Sequence, residues 1–120
     1  MMIVRTLAAT LLMLAASADI AMAHAKLKSA SPASGATVKA GVSEIKLVFG
    51  EKLEGALSTV ALADATGAAI AATSAGPACA GTTCHITVAP LAAGDYTVKY
   101  HILSADGHVV DGKYVFHVKG

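Results

Sequence analysis

Methionine is missing from most of this sequence. Met1, Met2, Met13 and Met22 are the only four, so nothing after position 22 carries a thioether. A soft-ligand site built on methionine sulfur is therefore excluded from residues 23–120. An excess of charge is missing too: nine Lys and Arg against eight Asp and Glu leave a net charge of +1 at pH 7. With no basic cluster, the chain has no electrostatic footprint for nucleic acid and no polybasic signal for anionic lipid. There are only two cysteines, Cys79 and Cys84. No stretch beyond the first residues approaches the ~20 apolar residues of a membrane span. Internal repeats and low-complexity tracts are absent.

What is present begins with an export signal. Arg5 precedes an apolar run, TLAATLLMLAA, and small residues close the segment as Ala21-Met22-Ala23. A basic start, a short apolar centre and an A-x-A site are the three parts of a secretory signal peptide. The run is too short for a comfortable membrane anchor, and Asp19 weakens an anchor further. The expectation is a cleaved signal over residues 1–23 and one small domain over 24–120, with no membrane insertion after cleavage. Losing Arg5 and Asp19 together leaves the net charge unchanged. In an exported chain an even cysteine count suggests a disulfide, here closing the small CAGTTC loop. The alternative, a thiolate metal site with the adjacent His85, needs reduced cysteines in an oxidising compartment.

The domain reads as short strands between turn residues. SPASGA at 31–36 is a loop rich in Ser, Pro and Gly. Ile45, Leu47 and Phe49 alternate on one face of a half-buried strand. Residues 58–63, STVALA, form a second strand, closed by a turn over Asp64-Ala65-Thr66-Gly67. Residues 68–72 are a weaker candidate, and 85–88 form a strand ended by Pro90. Residues 96–103 and 113–119 alternate most regularly. SADGHVVDG between them holds two Asp-Gly turn signals around an apolar pair. About seven short strands at this spacing predict an all-β, antiparallel sandwich or barrel. Tyr96, Tyr100 and Tyr114 read as core aromatics.

The chemistry gathers at two places. Cleavage after Ala23 makes His24 the first residue, where its free amine and its ring Nδ1 close a six-membered chelate on one ion. That amine must lose its proton, which a strong Lewis acid takes readily. The other place is Asp106-Gly107-His108. In extended backbone, residues two apart point to the same side, so carboxylate and imidazole converge, with Gly107 leaving room between them. Alone, such a pattern is more often a turn with a stray histidine. With His24 it completes a set of three nitrogens and one oxygen, which in tetragonal geometry selects Cu(II). Zn(II), with similar ligands in a tetrahedron, is the competitor. His85, His101 and His117 lie in strand patterns and read as surface or satisfied positions. Ser104, Asp106 and His108 are too close in sequence to form a catalytic triad.

These residues sit within longer stretches that carry a resemblance. HAKLKSASPASGATV from His24, IKLVFGEKLE, LAAGDYTVKYHILSADGH and GKYVFHV together cover almost all of residues 24–120. The chain resembles the CopC-type periplasmic copper-binding proteins of bacterial copper resistance and uptake. The resemblance implies a Greek-key β-sandwich or barrel, immunoglobulin-like and cupredoxin-like, and a periplasmic location. It implies one Cu(II) per chain, held by His24 through amine and ring, by Asp106 and by His108, with Glu51 near that site. It also implies a CopD-type inner-membrane protein as partner. The methionine-rich Cu(I) site of some members has no counterpart here, and the CAGTTC pair lies outside the family pattern.

Two other classes stand beside a non-enzymatic carrier. An N-terminal histidine with a second histidine also resembles the copper brace of oxidative polysaccharide-cleaving enzymes. Against that, Asp106 would fill a position that oxygen chemistry needs open, and the domain has no evident substrate platform. A structural immunoglobulin-like module would leave His24, Asp106 and His108 together without explanation.

Overall fold

A computed structural model describes residues 26–120. The export segment over residues 1–23 and His24 lie outside the described residues. Nine strands are present among them: β1 (Leu27–Ser31), β2 (Thr37–Lys39), β3 (Glu44–Phe49), β4 (Thr59–Asp64), β5 (Ala69–Ile70), β6 (Cys79–Ala80), β7 (Thr83–Thr87), β8 (Gly94–Leu103) and β9 (Val109–Lys119). A single 3₁₀ turn, Gly55–Leu57, precedes β4. The count exceeds the seven or so expected because β1, LKSAS, and β2, TVK, carry no strong alternation, and β6 is two residues long.

The strands form two sheets, ordered β1-β3-β7-β6 and β2-β9-β8-β4-β5. All pairings are antiparallel except β2 with β9. Most neighbours are not consecutive in the chain, so connections cross from one sheet to the other, as Greek-key topology requires. The arrangement is that of an immunoglobulin-like sandwich, with β1-β3-β7-β6 as one sheet and β9-β8-β4 at the centre of the other.

Alternation sends one face of each strand inward. Ile45, Leu47 and Phe49 of β3 and Ile86 of β7 meet Leu62 of β4, Val98 and Ile102 of β8, and Phe116 and Val118 of β9. Tyr96 and Tyr114 are buried as expected, while Tyr100 is half-buried. Each buried tyrosine keeps a partner for its hydroxyl: Tyr96 donates to the Ala92 carbonyl at 2.7 Å and Tyr114 to the Pro32 carbonyl at 2.8 Å. The first is a tyrosine corner at the start of β8. At the β4–β5 turn, Asp64 accepts from the Thr66 N–H and hydroxyl and the Ala68 N–H, which holds its carboxyl below its ordinary value.

One expected turn is strand. Asp111-Gly112 reads as a turn signal, yet β9 begins at Val109 and pairs Asp111 with His101 and Gly112 with Tyr100. The reason lies across the ladder. The Tyr100 ring lies over Gly112, where any Cβ would overlap it, and packs T-shaped with Phe49, ring centres 5.4 Å apart. Glycine serves close approach there, not reversal of the chain. Among the described residues no helix is long and apolar enough to cross a membrane.

Candidate metal centre

The tip of the β8–β9 hairpin carries the two predicted donors that fall within the described residues. Leu103 and Val109 are the last ladder pair, and Ser104 through His108 make the connection. The Ser104 N–H donates to the His108 carbonyl at 2.9 Å, and the Gly107 N–H donates to the Ser104 carbonyl at 2.9 Å. Ala105 and Asp106 are thus the middle of a β-turn, followed by Gly107 at φ 93°. This is the three-residue hairpin loop with a left-handed third residue, which only glycine adopts without strain.

Asp106 and His108 therefore converge for a different reason from the one the sequence suggested. The backbone is a tight turn, not extended strand, and Gly107 supplies a positive φ where open space surrounds it. The Asp106 Oδ1 lies 3.1 Å from His108 Nδ1 and accepts from the His108 N–H at 3.2 Å. It also accepts a short hydrogen bond from the hydroxyl of Ser104, which is fully buried. Asp106 keeps 38% of its side-chain exposure and His108 57%, so both can be reached from solvent. Ser104 is the polar side chain of this turn that sequence reasoning did not assign as the carboxylate's partner. Its signal was the spacing S-x-D-x-H.

A second segment runs beside the turn. The Ala105 N–H donates to the Lys52 carbonyl, Leu53 bridges to Ser104, and the Glu54 N–H donates to the Leu103 carbonyl. Glu51, partly buried, is the next residue back from Lys52 and so lies along the same edge. At the other end of this segment the Gly50 N–H donates to the Lys26 carbonyl at 2.9 Å, and Leu27 pairs with Phe49. Lys26 and the Asp106–His108 turn are thereby tied to positions Gly50 and Lys52 of one short stretch.

The remaining histidines lie elsewhere. Each is exposed on a strand and faces a carboxylate across the ladder: His85 and Glu44 at 3.1 Å, His101 and Asp111 at 2.6 Å, His117 and Asp95 at 2.6 Å. Cys79 and Cys84, directly opposite each other in β6 and β7, are joined as a disulfide, so their sulfurs offer no thiolates beside His85. Among the described residues no three His, Cys, Asp or Glu side chains converge on one point where an ion would sit.

The fold recurs in known proteins. The CopC domain matches the chain over residues 27–119. The crystal structure of CopC from Methylosinus trichosporium OB3b is similar at a TM-score of 0.71 and 38% identity, over 80% of this chain and 94% of that one. PcoC, described as a methionine-rich copper resistance protein from Escherichia coli, is similar at a TM-score of 0.70 and 33% identity, over 81% of this chain and 100% of that one. No curated protein matches the chain. With the family's domain spanning both sheets and the Asp106–His108 turn, this chain belongs to the CopC family.

Proposed function

We propose that the protein binds one Cu(II) ion in the periplasm and carries it, without turning over a substrate, for copper resistance or uptake. Export removes residues 1–23, and the ion is held by the amine and ring of His24, the Asp106 carboxylate and the His108 imidazole. A CopD-type inner-membrane protein receives it.

The observation that carries this reading is the Asp106–His108 turn and the bonds that tie it and Lys26 to one short stretch. Two donors on neighbouring corners of one ion, with bonds of ~2.1 Å, stand roughly 3 Å apart. The Asp106 Oδ1 and His108 Nδ1 are separated by 3.1 Å. Lys26 is bonded to Gly50, two residues before the Lys52 carbonyl that holds Ala105. His24 is two residues from Lys26, a reach of up to ~7 Å in extended chain. The similarity to a copper resistance protein supports the choice of metal. Unlike that methionine-rich relative, this chain has no methionine after Met22, which favours Cu(II) over Cu(I).

The test is copper titration of protein processed to His24, beside protein carrying one extra residue before it. An extra residue converts the amine to an amide and removes the chelate. Cu(II) affinity should fall at least a hundredfold, about 3 kcal/mol. Equal affinities would remove His24 from the site. Rapid ascorbate-driven oxygen consumption by the loaded protein would replace the carrier reading with an oxidative enzyme.

A further inference from the structure

The outer face of the five-stranded sheet runs down from the metal turn and carries a charge pattern that the metal site does not use. Its outward residues pair in rows across β8 and β9: Leu103 with Val109, His101 with Asp111, Lys99 with Lys113, and, further down, Asp95 with His117. The carboxylates in these rows each face a histidine at 2.6 Å. Lys99 and Lys113 instead face each other, and among the described residues neither forms an ion pair. Like charges set directly opposite repel, so this row favours an outside negative group. On the next strand the same rows hold only Thr59 and Ala61. Their short side chains leave a cleft of about 410 Å³ over His101, Asp111 and the two lysines.

Between the cleft and the turn the surface is apolar. Val109 is 56% exposed, and Leu57 at 62% precedes Ser58, whose hydroxyl bonds the backbone of Leu103. A free anion has no use for that strip, whereas a protein segment bearing both kinds of side chain covers it. The lysine row and the Leu103–Val109 row are four residues apart along β8, roughly 13 Å. We propose that this strip is the docking surface for a partner protein's segment carrying a carboxylate and an apolar side chain at that separation. A partner seated there lies against the Asp106–His108 turn, and that it collects copper rests on the carrier reading above.

The probe is the peptide acetyl-Glu-Glu-Ser-Ser-Leu-Leu-amide, titrated into 15N-labelled protein and followed by amide shifts. Saturable shifts at Lys99, His101, Val109 and Lys113 are expected. Lys99→Ala/Lys113→Ala, both exposed and freed of mutual repulsion, should weaken binding at least tenfold. Lys39→Ala/Lys119→Ala removes the same charge from the far end of this face, where those two residues pair, and should change it less than twofold. Replacing the peptide's glutamates by glutamine should also cost at least tenfold. Equal losses in both double variants would overturn the proposal as unspecific charge attraction. Acetate or phosphate reproducing the peptide's shifts, Val109 included, at equal concentration would overturn it as a simple anion spot, and no saturable shift would overturn it outright. Copper titrated in parallel separates the two readings. Copper uptake without peptide binding sinks the docking strip alone, and peptide binding without copper uptake keeps the strip but removes its link to copper.

Discussion

Asp106 Oδ1 serves the buried Ser104 hydroxyl and the His108 N–H, and the His108 ring stands beside it. Those donors fix the carboxylate's direction before any ion arrives, which lowers the ordering cost of binding. In the proposed site the donor types also set the oxidation state. A carboxylate favours the doubly charged ion, imidazole and amine are borderline, and no methionine follows Met22 to hold Cu(I). Reduction should therefore release the metal, a delivery step in a carrier. In competition with a Cu(I)-specific chelator, the reduced protein should lose its copper, with the disulfide intact and in Cys79→Ser/Cys84→Ser alike. Tight retention of Cu(I) by both would point to the remaining histidines, with His85, His101 and His117 the first to replace. Asp106 and His108 were legible as candidate donors from residue type and spacing. For Ser104 the spacing was a signal, but whether its hydroxyl reaches a carboxylate two residues on depends on the turn the backbone takes.

At the scale of elements, two hairpins flank the segment Glu51–Glu54. The β8–β9 hairpin bonds it through Ser104 and Ala105, and the loop between β6 and β7 bonds it where the Leu53 N–H donates to the Gly81 carbonyl at 2.8 Å. The disulfide closes that second hairpin across a directly opposed pair, with Cys84 fully buried. Its ring is small, so the chain-entropy contribution is about 2 kcal/mol. Cys79→Ala/Cys84→Ala should lower Tm by roughly 8–16 °C, while Cu(II) affinity changes less than threefold. A tenfold loss of copper affinity at temperatures where the variant is folded would make the bridge part of the metal site's support. The CAGTTC pairing was readable from an even count in a chain that opens with an export-like segment. That it clamps the strand edge beside the metal turn was not, because the bond from Leu53 to Gly81 joins segments that the sequence keeps apart.

Across the whole molecule, burial makes two inward tyrosines harder to ionise, and Tyr100 adds to the cost at Tyr114. Burial is the main reason the Tyr114 hydroxyl is pushed up to about 12, with the neighbouring Tyr100 adding to it, and burial alone pushes Tyr100 up. The folded state thus prefers both phenols neutral, more strongly than the unfolded chain does. Their contribution is complete below about pH 10, the ordinary tyrosine value, and is lost as pH rises from there toward 12. Stability measured by denaturant should be flat in this respect up to pH 10 and fall steeply beyond it. Tyr114→Phe should be less stable at neutral pH by about 1 kcal/mol, for the lost bond to the Pro32 carbonyl, yet show a shallower alkaline decline. An unchanged alkaline slope would assign the loss to other groups.

The amino-acid order by itself determined which side of each long strand is apolar, because a period of two needs no knowledge of neighbours. It also determined the kinds of donor available, since residue type decides whether a group is nitrogen, carboxylate or sulfur. The family followed from the same stretches. Tertiary structure decided the rest. Whether Asp111-Gly112 turns or extends depended on the Tyr100 ring arriving from β8 to lie over the glycine. The short strands β1, β2 and β6 exist because longer neighbours offer them a ladder, which their own sequences do not advertise. Pairing His101 with Asp111 and Lys99 with Lys113 came from one register, set when β8 and β9 closed over a common core. Local composition speaks for faces and donors, and only the packing of distant strands decides which of them meet.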